Sequence, residues 1–126
     1  MPQTGLGLAL RKLRERRTLS LREMTQLSNI DHAYVYRLEM GEKTNPSDEI
    51  LEKLLKVLKP SERDAGIVRW LASHANADVK LVEHVLEDPQ IPLNYFTAAA
   101  GMVHRGSARP DPATLMSRVR RAFEDE

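Results

Sequence analysis

The sequence predicts an all-α fold, five helices followed by a smaller group of about three, and three observations predict it. Apolar residues recur at helical spacing almost throughout the 126 residues. No alternating apolar and polar run is long enough to make a useful strand. Nearly every apolar block is also flanked by residues that start or stop helices.

The first helix is expected from about Thr4 to Arg17, with Leu6, Ala9, Leu10 and Leu13 on one face and arginines on the other. Ser20 offers an N-cap and Glu23, three residues on, completes a capping box for a second helix ending near Ser28. After a very short turn, Asp31 caps a third helix, HAYVYRLEM, which Gly41 stops because glycine best tolerates a left-handed C-cap. Ser47, followed by Asp48 and Glu49 at the positive end of a helix dipole, begins a fourth that Pro60 ends. Ser61 begins a fifth, to about Ala75, carrying Ile67, Val68, Trp70 and Leu71.

Asp78 caps a sixth helix that stops at EDP, 87 to 89, and a seventh runs from IPLN to about His104. HRGSARP, 104 to 110, is the most loop-like stretch. Asp111 then precedes a proline suited to the first helical position, and Leu115, Val119, Ala122 and Phe123 form the stripe of the last helix. The expected division is 1–76 and 77–126.

Composition narrows the function. The chain has 41% hydrophobic and 29% charged residues, which suits a small folded core with a charged surface. It has no cysteine, so disulfides and thiolate chemistry are excluded, compatibly with a reducing cytoplasm. Its longest apolar stretch, AAAGMV, is too short to span a bilayer. GLGLAL precedes the first basic residue, the reverse of a signal peptide, so a soluble cytoplasmic protein without membrane partners is expected. Histidines 32, 74, 84 and 104 include no metal-ligand pair at helical spacing. No serine has a paired base or a nucleophile-elbow setting, so neither a metal, a cofactor nor an enzymatic reaction is expected.

Net charge is only +1, so its distribution matters more than its sum. Residues 1 to 60 carry 11 Lys+Arg against 8 Asp+Glu, for +3, and residues 61 to 126 carry 8 against 10, for −2. The first half is therefore the electrostatic candidate for an anionic partner. Its basic run RKLRERR, 11 to 17, suits a solvated helix face as well as a DNA-facing one, and none of its arginines is expected to read bases.

The third helix is the functional candidate. At 100° per residue Val35 and Leu38 point one way, Ala33, Tyr36, Arg37 and Met40 point the other, and His32 and Tyr34 lie on the flanks. A capped helix, a tight turn and a short helix with such an outer face make a plausible helix-turn-helix. Arginine can pair with guanine O6 and N7, and alanine is small enough to meet a thymine methyl. His32, Ala33, Tyr36 and Arg37 are the expected base readers. Phosphate contacts are expected from Ser20, Leu21, Tyr34, Met40, Lys43 and Asn45.

LSLREMTQLSNIDHAYVYRLEMGEKTNPS, 19 to 47, resembles the Xre/lambda-repressor family of DNA-binding domains through Leu19, Ser20, Glu23, Met24, Val35, Arg37, Leu38, Glu39, Gly41, Pro46 and Ser47. Together with the first and fourth helices it covers about half the chain. The resemblance implies a five-helix lambda-repressor-like domain over 1–76 and a structural ion pair between Arg14 and Glu39. The sequence departs from the family at Thr25, usually alanine, and at Asn29, usually glycine. Asparagine is the next best residue for a positive φ.

Operator readers of this class usually work as two-fold dimers, since one recognition helix covers few base pairs. The helical 77–126 segment is accordingly expected to dimerise or regulate. It resembles the C-terminal region of DdrO-type repressors through Leu81, Leu86, Asp88, Pro89, Ile91, Arg105, Gly106, Arg109 and Pro110. That resemblance implies a zinc metallopeptidase partner of the ImmA/IrrE kind and a processing loop at His104, Arg105 and Gly106. The expectation is a dimeric repressor bound to double-stranded operator DNA, in a stress or DNA-damage response, relieved by cleavage. The alternative is an antitoxin-like adaptor that masks a partner protein and regulates its own operon.

Overall fold

The computed structural model describes residues 3–102 and 110–124 and contains eight α-helices and no strand among them. In order these are α1 (Gly5–Arg16), α2 (Leu21–Ser28), α3 (His32–Met40), α4 (Asp48–Leu58), α5 (Glu62–Ala72), α6 (Val79–Glu87), α7 (Leu93–Ala100) and α8 (Pro112–Glu124).

The helix starts are set by short polar side chains that satisfy otherwise orphaned amides. Thr4, Ser20, Asp31, Ser47, Ser61, Asp78 and Asp111 each accept a hydrogen bond from a backbone N–H two or three residues ahead. At Ser20 the box is complete, because the Ser20 N–H also donates to Glu23 Oε1 at 2.8 Å. Stops are equally local. Asn29 (φ 57°), Gly41 (φ 80°) and Lys59 (φ 48°) take the left-handed conformation after α2, α3 and α4.

Three expectations shift. The fifth helix ends at Ala72, not Ala75, because its last turn tightens: Ser73 and His74 N–H donate to Trp70 and Leu71 O, three residues back. The seventh ends at Ala100, with Gly101 as its C-cap, short of His104. In α8, Leu115, Met116 and Val119 are buried, whereas Ala122 and Phe123 are exposed. Phe123 instead lies flat on the Tyr95 ring at 4.8 Å, leaving its other face to solvent.

Helix α1 is the hub. It packs against α3, α5 and α6, which is why Leu8 is buried along with the predicted Leu6, Ala9, Leu10 and Leu13. Gly7 lets α1 approach α3 closely, since a Cβ there would sit 2.5 Å from Glu39 O and 2.7 Å from Leu38 O. The predicted 76/77 division falls in the connection between α5 and α6. Even so, α6 packs on α1, and buried side chains from Leu6 to Val119 belong to one cluster.

Trp70, on α5, is half-buried; its ring stacks on His74 at 3.8 Å and meets Phe96 edge-on at 5.3 Å.

Candidate nucleic-acid interface

Helices α2 and α3 are joined by Asn29, Ile30 and Asp31. Asn29 turns the chain with φ 57° and ψ 38°, a conformation that its short polar side chain tolerates. Thr25 is buried, and its Oγ1 donates to Arg22 O at 2.9 Å, so the hydroxyl at this alanine-favouring position has a partner. Asp31 then caps α3 through Tyr34 N–H at 3.1 Å.

Helix α3 is anchored on one side. Val35 and Leu38 are fully buried, and Glu39 is 5% exposed. Its carboxylate takes a two-pronged contact from Arg14 of α1: Nε donates to Oε2 at 2.8 Å and Nη2 to Oε1 at 3.0 Å. Arg14 Nη1 also donates to Leu19 O at 3.0 Å, which fixes the chain just before α2. One guanidinium thus ties together α1, the start of α2 and the end of α3. The hydrogen bond to Glu39 raises the Arg14 pKa further above its ordinary value.

The other side of α3 is free. His32, Ala33, Tyr36 and Arg37 are all exposed, Tyr36 at 45%, and none of their side chains is drawn into the fold by a hydrogen bond or ion pair among the described residues. These four lie on neighbouring positions of one helical surface, where donors, an aromatic ring and a small apolar group can meet the edge of a ligand.

The predicted phosphate contacts divide into two kinds. Ser20, Lys43 and Asn45 are exposed, whereas Leu21, Tyr34 and Met40 are half-buried. Leu21 and Tyr34 pack against the core, leaving the Leu21 backbone at the α2 N-terminus as its polar contribution. Lys43 Nζ sits 5.9 Å from the Tyr34 ring centre, so the loop after α3 and the flank of α3 are adjacent. Asn45 has φ 53° in that loop. His104, Arg105 and Gly106 lie outside the described residues.

Three members of the basic run 11–17 are engaged within the fold, whereas Arg11 and Arg17 are exposed. Lys12 lies 3.1 Å from Glu87 and 3.9 Å from Glu83, Arg14 binds Glu39, and Arg16 donates to Asp64 Oδ2 at 2.9 Å and to Leu86 O at 2.6 Å. Asp64, 6% exposed in the first turn of α5, was not singled out by sequence. It also receives Arg63, whose Nη1 donates to Asp88 O at 2.6 Å and Ile91 O at 2.9 Å. The α6–α7 turn is therefore clasped to α1 and α5 through one carboxylate.

Comparison with known proteins agrees with this geometry over the first half of the chain. Residues 10–63 match the family model described as helix-turn-helix. The match begins within α1, contains α2, α3 and α4 whole, and ends at the start of α5, a little under half of the chain. No curated protein matches the chain.

Proposed function

With residues 10–63 a helix-turn-helix domain, we propose that the protein is a sequence-specific, double-stranded-DNA-binding transcriptional repressor that acts as a two-fold dimer. The observation that carries this reading is the two-sided character of α3. Val35, Leu38 and Glu39 are held inside, while His32, Ala33, Tyr36 and Arg37 stand together in solvent. A helix kept only for packing has no need of an outward arginine and tyrosine beside a small residue. Arg37 supplies two parallel donors for guanine, Ala33 an apolar contact for thymine, and His32 a group able to donate or accept. Ser20, the Leu21 amide, Tyr34, Met40, Lys43 and Asn45 set the register on the phosphates.

Dimerisation follows from the economy of recognition, because nine residues of helix reach only a few base pairs. We place relief of repression at the 104–110 loop, by a zinc metallopeptidase of the ImmA/IrrE kind during a stress or DNA-damage response. The physical support is that α8 buries Leu115, Met116 and Val119, so its release would uncover apolar core.

Selection of bound duplexes from a random pool tests the central claim. The expected result is an enriched site with two half-sites related by a two-fold axis, and affinity that falls steeply with salt. A pool that returns unenriched would overturn sequence-specific binding. Coexpression with an HExxH peptidase tests the processing claim by mass, and an intact chain would remove it.

A further inference from the structure

A groove of about 530 Å³ opens between the C-terminal parts of α2 and α4, lined by Arg17, Leu27, Asn29, Lys53, Lys56 and Lys59, with Val57 and Ser28 completing it. Two features set it apart. It carries four cationic side chains and no carboxylate, in a chain with almost balanced charge. Leu27 stands in it 65% exposed, the most exposed large apolar side chain among the described residues.

Helix dipoles explain part of the charge. Arg17 is the C-cap of α1, and Lys56 and Lys59 close α4, where cations answer the negative helix end. They do not explain Leu27, whose place on α2 leaves it uncovered beside half-buried Val57. Nor are most of the cations paired: Lys53 has an exposed helical partner in Glu49 at 3.6 Å, while Arg17, Lys56 and Lys59 have no ion-pair partner among the described residues.

We propose that this groove docks an acidic segment of a partner protein, one that places an apolar side chain on Leu27 and Val57 and carboxylates against Arg17, Lys53, Lys56 and Lys59. Charge complementarity and the apolar floor act together here. A DNA phosphate would use the cations but not Leu27, so the leucine decides for a peptide over a nucleic acid. None of the lining residues is among those assigned to DNA, so a docked segment leaves His32, Ala33, Tyr36 and Arg37 open. The site thus suits a protein recruited to, or recruiting, the DNA-bound chain.

The probe is a short fluorescent synthetic peptide of glutamates and aspartates around a central Phe-Leu pair, with a control in which that pair is Ser-Ser. It is titrated into the full chain and into Leu27→Ser and Lys53→Gln/Lys56→Gln variants, all at surface positions. Both variants are expected to weaken the peptide by about tenfold or more, and the Ser-Ser control to bind about as poorly. Random-sequence duplex DNA is expected to bind all three proteins alike. Unchanged peptide affinity in Leu27→Ser would overturn the proposal by reducing it to bulk charge attraction. An equal loss of duplex affinity in the lysine variant would assign the groove to the DNA backbone. Conversion of a dimer to a monomer by Leu27→Ser, seen by sedimentation, would assign it to a second copy. Because the peptide is read without DNA, the result stands apart from whether α3 binds an operator.

Discussion

Arg14 and Glu39, 25 positions apart, meet through two hydrogen bonds of 2.8 and 3.0 Å, and this pair holds the outward helix against the hub helix. Both side chains are mostly withdrawn from water, 15% and 6% exposed. Removing one partner strands the other charge, whereas removing both does not. Glu39→Ala is therefore expected to cost about 3 kcal/mol in urea unfolding. The double substitution Arg14→Met/Glu39→Met should cost clearly less than the sum of the singles. Additive losses would show that the two do not act as a pair.

Gly7 makes a prediction that runs against helix propensity. In an isolated helix Gly→Ala stabilises by about 1 kcal/mol. Here the added methyl would fall 2.5 Å from Glu39 O and 2.7 Å from Leu38 O, backbone atoms of α3 that can move only if the helix moves. Gly7→Ala is expected to destabilise the protein by about 2 kcal/mol. It should also weaken DNA binding in the fraction that stays folded, because α3 shifts. A rise in the unfolding midpoint would refute the close α1–α3 approach.

What could be read from the sequence and what could not differ in range. The limits of α3 were legible because Asp31, Asn29 and Gly41 act on amides and dihedrals within a few residues. The outward face of α3 was legible because helical period separates Val35 and Leu38 from Tyr36 and Arg37. The role of RKLRERR was not, since Lys12 and Arg16 find Glu87 and Asp64, 75 and 48 residues away. No local pattern encodes such partners, and only family resemblance supplied the Arg14 pairing. Phe123 fits the apolar stripe of α8 by period alone, yet period cannot distinguish a core position from a ring lying on Tyr95 at the surface.

Asp64 offers a test of how the two halves are joined. Its two oxygens serve Arg16 and Arg63, and those guanidiniums in turn donate to Leu86, Asp88 and Ile91 carbonyls. Asp64→Ala leaves two partly buried cations without their counter-ion and is expected to cost about 3 kcal/mol. Amide exchange should accelerate first in residues 86–91 and only later in α3. Uniform acceleration throughout the chain would show that the carboxylate is not a local clasp.

The pH profile should have two limbs of opposite sign. Glu23 is held below its ordinary pKa by the Ser20 amide, Glu52 by Arg69, and Asp111 by Thr114. These groups bind protons more weakly folded than unfolded, so their contribution is present above the ordinary carboxylate range and disappears as pH falls through their folded values. Tyr95 is pushed up by donating to Glu124, so its contribution is present at neutral pH and disappears as pH rises through its folded value, beyond about 10. Thermal melts should be flat near neutrality and fall on both sides. Glu23→Gln keeps a capping side chain but cannot titrate, and should flatten the acid limb. An unchanged acid limb would remove Glu23 from the account.

In the proposed complex, Arg37 and Lys43 separate sequence reading from attachment. Arg37 lies on the exposed face of α3 and is assigned to a base edge; Lys43 lies in the following loop beside Tyr34 and is assigned to phosphate. A base contact is lost only on the cognate site, so Arg37→Ala should weaken selected DNA by on the order of 1 to 3 kcal/mol and relax one base position, with much less effect on unrelated duplexes. A phosphate contact is lost on every duplex, so Lys43→Ala should weaken both and lower the slope of log affinity against log salt by about 1. Both substitutions fall on exposed side chains, so unfolding midpoints should stay close to that of the parent. If Arg37→Ala weakened all duplexes equally and changed the salt slope, Arg37 would belong with Lys43 on the phosphates, and specificity would have to rest on His32, Ala33 and Tyr36.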